Sequence, residues 1–436
     1  TSLWMNLQIS ALRYPQKVAL VFMGRTWTYS QLQLEAEKIA SALRKMGVQK
    51  GDRVVLDMQN CPQLVITHFA ILRMDAVVVP VNPMNRTEEL KHYILDPDTK
   101  VAVTTADLAP ELAAASNALE KTQRLQHLLV TQFTDVFDAA NIGPEELPET
   151  WSAWLKTVHA LPLLEDGQVH AWASALQSEV ALGPVTAQSE DLAVLPYTSG
   201  TTGLPKGCMH THGTIMHNAM SSGLWANGTP ENKCLCVVPM FHITGMVSVM
   251  HATIFMGATL ILMPRWDRDL AGRLISKWKV THWTNIPTMV IDLLGSANMA
   301  QFDLTSLVNI GGGGAAMPEA VAQRLLDQFG LKYIEGYGLT ETSPGAICNP
   351  LNITDWTGAI GLPFPSTEAT VLDDDGQSLP AGRLAREKPC DVSVHQGACQ
   401  WLGQPETYNR TRREARDKFS ASPMPRVVAG FVQGNR

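Results

Sequence analysis

Cysteine and charge are both scarce in this chain of 436 residues. Only seven cysteines occur, and no two of them form a C-x-x-C pair, which argues against a zinc ribbon or a thioredoxin-type redox site. We interpret them as buried or incidental thiols of a reducing cytosol. The N-terminus also lacks a basic-then-apolar segment, so we expect a cytoplasmic protein rather than a secreted one.

Basic residues are outnumbered by acidic ones, 34 against 41, which gives a net charge of −7. This balance argues against a protein whose main function is to bind nucleic acid or an anionic membrane surface. A hydrophobic fraction of 45% predicts a core-forming globular chain. Its length predicts two or more packed units.

Residues 234–264 carry no Asp, Glu, Lys or Arg, and the stretch is long enough to span a bilayer. It is interrupted by Pro239, Gly245 and Gly257. We therefore interpret it as a strand, a loop, a helix and a strand of a buried core, and we expect no transmembrane segment.

Helical and strand patterns alternate along the first hundred residues. Helical spacing occurs at 31–46, where Ser30 is a plausible N-cap, and again at 61–74 and 87–95. Short apolar runs at 53–57, 76–80 and 101–105 separate these segments, and a similar alternation follows residue 259. Continuous apolar strands between helices predict an α/β fold with parallel sheets covered by helices.

The strongest chemical signal is YTSGTTGLPKG at 197–207, directly after an apolar strand. Its glycines leave the backbone free to wrap an anion, and its hydroxyls and one ammonium group can donate to phosphate oxygens. It is not a Walker A loop, because Pro205 precedes Lys206 and Gly207 follows it. A phosphate-binding loop is the favoured interpretation, and a flexible surface loop is the alternative.

This loop is accompanied, in order, by five other segments: WTYS at 27–30, GDRV at 51–54, PMFHITG at 239–245, GGGGA at 311–315 and YGLTET at 337–342. Together they resemble the motifs of the adenylate-forming superfamily, which includes acyl-CoA synthetases, aryl-CoA ligases, peptide-synthetase adenylation domains and beetle luciferases. The resemblance covers about residues 1–382 and is closest to medium- or long-chain fatty-acid–CoA ligases.

The resemblance implies a large N-terminal domain with two parallel-type β-sheets flanked by helices and a small distorted β-barrel subdomain. It implies ATP-dependent activation of a carboxylic acid to an acyl-adenylate, with release of pyrophosphate and then thioester formation with CoA. ATP, Mg²⁺ and CoA would be required, and the protein could form a homodimer and touch a membrane peripherally. We expect no nucleic-acid partner.

The resemblance also assigns residues. Lys206, Thr340, Glu341 and His242 would be catalytic, and Glu341 would bind Mg²⁺, a cation that prefers carboxylate oxygen. The nucleotide would contact Thr198, Ser199, Gly200, Thr201, Thr202, Gly203, Lys206, Gly313, Gly314, Ala315, Gly336, Tyr337, Gly338 and Thr340. The acid would contact His242, Phe241, Met246, Gly312 and Gly313, and Met250 and Met317 would add to an apolar tunnel.

Histidine motifs have a second interpretation. A lone histidine in an apolar run such as His242 is more often a core residue, and only the resemblance places it beside the substrate carboxylate. His210, His212 and His217 have a spacing that could suggest a metal cluster. We discount this because no acidic ligand accompanies them, and because His212 matches a Thr-His pair that commonly follows the loop in the superfamily.

The resemblance fails after residue 382. No Thr-Gly-Asp motif, hinge or mobile C-terminal domain with its lysine is recognisable. Residues 383–436 carry ten Lys and Arg against five Asp and Glu. We therefore divide the chain into an AMP-binding domain at 1–382 and an atypical basic tail at 383–436, and expect the mobile domain to be absent or aberrant.

Three alternatives stay open at this point. The chain could be a catalytically impaired fragment that binds ATP and an acyl group, or it could transfer the acyl group to a carrier-protein thiol. The acid could also be aromatic or branched in place of a straight alkyl chain.

Overall fold

The computed structural model describes residues 2–138, 140, 142–198, 204–352 and 359–372, together with the backbone of short strands at 391–395, 400–401 and 427–429. Helices cover much of this range and bury one face each. In chain order they are α1 (Trp4–Arg13), α2 (Tyr29–Lys45), α3 (Pro62–Arg73), α4 (Thr87–Leu95), α5 (Ala109–Asn117), α6 (Glu149–Lys156), α7 (Trp172–Ala175), α8 (His212–Trp225), α9 (Ala252–Met256), α10 (Arg268–Trp278), α11 (Pro287–Leu294) and α12 (Glu319–Phe329).

Strands alternate with these helices. In chain order they are β1 (Val18–Phe22), β2 (Arg25–Thr28), β3 (Arg53–Asp57), β4 (Val77–Val81), β5 (Val101–Thr105), β6 (His127–Thr131), β7 (Gln168–Ala171), β8 (Leu192–Val194), β9 (Tyr197–Thr198), β10 (Lys206–Thr211), β11 (Lys233–Cys236), β12 (Thr259–Leu262), β13 (His282–Asn285), β14 (Asn309–Gly312), β15 (Tyr333–Gly338), β16 (Gly345–Cys348), β17 (Leu362–Pro363), β18 (Glu368–Leu372), β19 (Asp391–His395), β20 (Gln400–Trp401) and β21 (Val427–Ala429).

Two nine-stranded sheets form the frame. The first sheet has the order β17-β16-β15-β14-β13-β11-β12-β1-β2, and its strands from β15 to β1 are parallel. The second has the order β20-β10-β8-β4-β3-β5-β6-β7, with β9 paired to β10, and is parallel from β8 to β7. The predicted pair of parallel-type sheets is confirmed.

Burial explains why the apolar runs became parallel strands. Every residue of β4 and β5 is buried, as expected where helices cover both faces of a parallel sheet. One cluster of buried side chains contains Val54 and Val78 from the second sheet, Leu260 from the first, and Phe69 from α3. The two sheets therefore share a hydrophobic core.

The apolar stretch at 234–264 forms β11, a π-helix at Thr244–His251, α9 and β12. This matches the predicted strand, loop, helix and strand. Within the described residues, no helix combines the length and apolar character needed to cross a membrane.

A small antiparallel sheet of β18, β19 and β21 follows the large ones. The resemblance implied a small distorted β-barrel subdomain without fixing its residues. Among the described residues these three strands form a sheet and not a closed barrel.

Helix α2 begins two residues earlier than the sequence pattern suggested, and Ser30 is not its N-cap. The cap is Thr28, whose side-chain oxygen accepts a hydrogen bond from the Gln31 amide at 3.2 Å. The Gln31 side chain in turn accepts one from the Thr28 amide at 2.8 Å. This reciprocal pair satisfies two amide groups at the helix start, whereas Ser30 lies inside the first turn.

Replacing Thr28 with alanine should lower the free energy of unfolding by about 1 kcal/mol, because the Gln31 amide loses its acceptor. Thr28→Ser keeps the acceptor and serves as the matched control. Urea unfolding followed by tryptophan fluorescence measures both. Equal stability of the alanine and serine variants would contradict this assignment of the cap.

Candidate functional site

The carboxyl ends of four parallel strands lie side by side in the first sheet. The register pairs Cys234 of β11 with His282 of β13, and Asn285 of β13 with Gly312 of β14. Gly312 is in turn paired with Glu335 of β15. Ligands of α/β proteins bind at this edge of a parallel sheet, so the segments that follow these strands define the candidate site.

Backbone, not side chains, forms the floor of this edge. A Cβ atom on Gly312 would lie 1.8 Å from the carbonyl oxygen of Asn285, and one on Gly313 would lie 2.4 Å from that of Gly336. Neither distance is sterically possible, so the glycine run at 311–314 is required by close packing of neighbouring strands. It also leaves space above the strand ends that a ligand can occupy.

The end of β15 carries the second motif. Tyr337 is half-buried on the strand, and burial raises the pKa of its hydroxyl. A 3₁₀ turn at Thr340–Thr342 follows, with both Thr340 and Glu341 partly exposed. The Glu341 carboxylate forms no hydrogen bond or ion pair with any described residue, and it is therefore available to a cation.

The strands on either side of the phosphate-type loop, β9 and β10, pair as an antiparallel hairpin in the second sheet. Lys206 of β10 lies opposite Thr198 of β9, and Gly207 opposite Tyr197. The predicted contacts Ser199, Gly200, Thr201, Thr202 and Gly203 lie outside the described residues.

Helix α4 and the residue after it hold the base of this hairpin. The Tyr197 hydroxyl donates to Asp96 at 2.6 Å, and the ring of His92 bonds to the carbonyl oxygen of Pro205 at 2.7 Å. Both ends of the loop are therefore tied to the same helix.

Two buried side chains, one on β10 and one on α8, bond to the end of the second motif and the residues after it. The Nδ1 atom of His210 on β10 is 2.9 Å from the hydroxyl of Ser343. The amide nitrogen of Asn218 on α8 donates to the carbonyl oxygens of Thr342 and Gly345 at 3.2 and 2.6 Å. Sequence reasoning missed both roles: it weighed His210 only as a metal ligand, and nothing local marks Asn218.

His242 lies in the segment between β11, which ends at Cys236, and the π-helix, which begins at Thr244. Its side chain is exposed, and its Nδ1 accepts a hydrogen bond from the Thr244 amide at 3.3 Å. Desolvation by the surrounding chain lowers the pKa of the ring. Because Nδ1 accepts this hydrogen bond, the neutral ring would carry its proton on Nε2. Phe241 is half-buried, and Met246 is buried inside the π-helix.

A small cavity of about 50 Å³ lies beside the first residues of β11, β13 and β14. It is enclosed by α8, the π-helix with α9, and the strands β11, β13 and β14. Hydroxyls of Ser222 and Ser248 line it, together with Met256, Thr284 and Asn309. Thr284 and Asn309 sit on neighbouring strands, which lead toward Asn285 and the glycine run.

The remaining predicted residues lie either at the ends of β14 and β15 or in the buried core. Gly314 and Ala315 are exposed just past β14, and Gly336 and Gly338 lie on β15. Met250 and Met317 are buried, and the Met317 amide donates to Glu335 at 2.9 Å. The first sheet thus brings His242, the glycine run and the second motif to one edge, while Lys206 and Thr198 belong to the second sheet.

Comparison with known proteins agrees with this geometry. Residues 7–384 match the family model described as AMP-binding enzyme. The chain belongs to the AMP-binding enzyme family. The long-chain-fatty-acid–CoA ligase of Bacillus subtilis (strain 168) is 33% identical over 377 residues, which are 85% of this chain and 66% of that protein. The Escherichia coli O6:H1 ligase of the same name is 32% identical, over 86% of this chain and 66% of its own length.

Solved structures of AMP-binding enzymes share the fold. The anthranilate CoA ligase AuaEII in complex with anthranoyl-AMP superposes with a TM-score of 0.79 at 22% identity, covering 94% of this chain and 73% of that one. The N-terminal domain of FACL13 from Mycobacterium tuberculosis gives 0.74 at 24%, covering 93% and 92%. The chain spans just under two thirds of the length of the curated relatives it matches.

The donor set fits the groups that AMP-binding enzymes use. Within the described residues, no cluster of three or more His, Cys, Asp or Glu side chains could hold a metal. A single available carboxylate at Glu341 suits Mg²⁺, which keeps several waters and shares substrate phosphates. His210, His212 and His217 bond instead to Ser343, to the Leu3 amide and to the Pro365 carbonyl oxygen.

Three buried histidines make the stability of this AMP-binding enzyme depend on acid. Burial lowers the pKa of His210 and of His212 to about 4 and that of His251 to about 3, from 6.5. As the pH falls below 6.5, the unfolded chain binds these protons and the folded chain does not. The free energy of unfolding should therefore fall steadily between pH 6.5 and about 4, as urea unfolding at a series of pH values would measure.

His212→Asn is the matched control for this pH dependence. The asparagine oxygen can replace Nδ1 as the acceptor of the Leu3 amide, but it does not titrate. The variant should lose stability less steeply with acid than the natural chain. An identical slope would contradict the assignment of His212 as a buried neutral histidine.

Proposed function

We propose that this chain activates a fatty acid with ATP, forming an acyl-adenylate and pyrophosphate, and that the acyl group then passes to CoA. The observation that carries the proposal is the linkage of the Lys206 hairpin to the Thr340–Thr342 turn through His210 and Asn218. Buried hydrogen bonds thereby join the strand that carries Lys206 and the helix after it to the residues that follow Glu341. Membership of the AMP-binding enzyme family supports it.

The nucleotide would lie across the strand ends of the first sheet. Tyr337 would place its ring against the adenine base. Absent or small side chains would leave room for the nucleotide around it, at Gly336, Gly338, Gly313, Gly314 and Ala315. Thr340 would donate to the α-phosphate. Lys206 and Thr198, with Ser199, Gly200, Thr201, Thr202 and Gly203, would hold the β- and γ-phosphates. Mg²⁺ held by Glu341 would neutralise charge on the phosphates as pyrophosphate leaves.

The reaction needs no protein nucleophile. An oxygen of the substrate carboxylate attacks the α-phosphorus, the bond to the bridging oxygen of the β-phosphate breaks, and pyrophosphate departs with the electron pair. The neutral His242 would donate a hydrogen bond from Nε2 to the carboxylate and orient it, without transferring the proton. In the second step the CoA sulfur attacks the acyl carbon, its proton is lost to solvent, and AMP leaves.

The acid would extend from Gly312 and His242 past Phe241 and Met246 toward the small cavity beside β13 and β14. Methionine in the lining of this cavity suits contact with the end of an alkyl chain. The bacterial relatives named long-chain-fatty-acid–CoA ligases support a fatty acid over an aromatic one.

The remaining parts of the proposal concern the whole protein. Residues 1–382 would form the AMP-binding domain, and 383–436 an atypical tail. A cytoplasmic location and homodimer formation fit an enzyme of this kind, with any membrane contact peripheral.

Acid-dependent exchange of pyrophosphate into ATP tests the first step directly. A panel of acids with two to eighteen carbons, together with aryl acids, should give exchange that peaks at one chain length. Lys206→Ala and Glu341→Ala should each lower it by about a hundredfold or more, because charge on the leaving pyrophosphate loses its stabilisation. His217→Ala, away from the edge, should keep normal exchange.

Absence of exchange with every acid, despite measurable ATP binding, would contradict the proposal and favour a binding fragment. Exchange without CoA thioester formation would favour transfer to a carrier-protein thiol.

Truncating Met256 tests the acyl pocket. Its sulfur packs against Gly223 and Gly228 at one end of the cavity. Met256→Ala should lengthen the cavity and move the exchange maximum about two or more carbons toward longer acids, since each buried methylene contributes about 0.8 kcal/mol. The exposed Met220 of α8 provides the matched control Met220→Ala. An unchanged chain-length profile in Met256→Ala would show that the acid does not reach this cavity.

A further inference from the structure

The turn that carries Thr340 and Glu341 ends in a backbone conformation that costs energy. Ser343 has a φ of +71°, in the left-handed region that side chains other than glycine rarely adopt. Its amide donates to the Thr340 carbonyl oxygen at 3.2 Å and closes the turn. Conformations of this kind persist only where surrounding contacts hold them, and they concentrate at functional sites.

The contact that holds Ser343 comes from the other sheet. His210 lies on β10, four residues after Lys206, and its ring is fully buried. Its Nδ1 is 2.9 Å from the Ser343 hydroxyl, and its Nε2 is 3.3 Å from the Cys208 sulfur. This side chain thus connects the end of the turn to β10.

Groups packed around this contact leave it little freedom. Ser343 and Thr342 are buried, and the Thr342 hydroxyl bonds to the Leu339 amide at 2.8 Å and to the Pro344 carbonyl oxygen. Asn218 binds the Thr342 and Gly345 backbone from α8. The position of the partly exposed Glu341 therefore depends on residues behind it, and one of them shares a strand with Lys206.

We propose that His210 is a positioning residue that holds the Ser343 turn in its left-handed form, and so sets the Glu341 carboxylate where Mg²⁺ bound to ATP can reach it. The inference rests on the proposed function, because it assumes that Glu341 binds Mg²⁺ and Lys206 the phosphates. It adds a coupling: the strand that carries the phosphate-binding ammonium also carries the ring that orients the metal-binding carboxylate.

Equilibrium binding of ATP to the full chain, with and without Mg²⁺, tests this by calorimetry. In the natural protein Mg²⁺ should strengthen ATP binding. His210→Leu, which keeps the bulk but not the hydrogen bonds, should reduce this gain about tenfold while metal-free ATP binding stays unchanged. His210→Gln can donate to Ser343 again and should restore much of the gain. His217→Leu is the matched control and should behave as the natural chain.

Substitutions of Ser343 test the proposal independently. Ser343→Ala loses the hydroxyl but keeps a Cβ atom at positive φ, whereas Ser343→Gly loses the hydroxyl and adopts that conformation freely. If His210 acts by holding the turn, the alanine variant should lose more of the Mg²⁺ gain than the glycine variant. Thermal unfolding of each variant separates this from a loss of the fold, which would weaken metal-free binding as well.

The pyrophosphate exchange assay distinguishes an effect on the use of Mg²⁺ from an effect on binding of the acid. The His210 and Ser343 variants should require more Mg²⁺ for half-maximal exchange, with little change in the KM for the acid. A folded His210→Leu variant with the natural Mg²⁺ dependence in binding would overturn the positioning role and leave the proposed function intact. A natural chain that binds no ATP at any Mg²⁺ concentration would overturn both.

Discussion

Three strands of the first sheet approach so closely at their carboxyl ends that no side chain fits between them. The carbonyl oxygens of Asn285 and Gly336 occupy the positions that Cβ atoms of Gly312 and Gly313 would need. A side chain here would push β14 away from β13 or β15 and break the ladder that aligns them. The floor of the site is therefore fixed by the sheet itself, and the variable parts of the site are the segments above it.

The groups proposed to act on the phosphates come from two different sheets. Lys206 and Thr198 sit on a hairpin of the second sheet, while Tyr337, Thr340 and Glu341 follow β15 of the first. A shared hydrophobic core aligns the sheets, but apolar contacts are not directional. The buried hydrogen bonds of His210 and Asn218 favour one orientation of the two sheets relative to each other, because a buried polar group left without its partner costs about 1–3 kcal/mol.

Local patterns allowed much of this arrangement to be predicted. Apolar strands alternating with helices predicted the two parallel sheets, and the motifs marked the phosphate-type loop and the glycine run. The sequence suggested Ser30 as the N-cap because serine is a favoured residue at that position. In the structure Thr28 is the N-cap, because it forms reciprocal hydrogen bonds with Gln31. His210 meets Ser343 across 133 residues, and no periodicity in the sequence encodes such a contact. The cavity behind β13 and β14 likewise depends on how distant elements pack.

The π-helix at Thr244–His251 forms one wall of that cavity, and the segment before it carries His242. Helices of this class hold one more residue in each hydrogen-bonded turn than an α-helix does. Gain or loss of a single residue here would change the hydrogen-bonding class of one turn and leave the neighbouring strands in register. This wall could therefore change its contour through small insertions or deletions during evolution, while the rigid floor of the site stayed as it is.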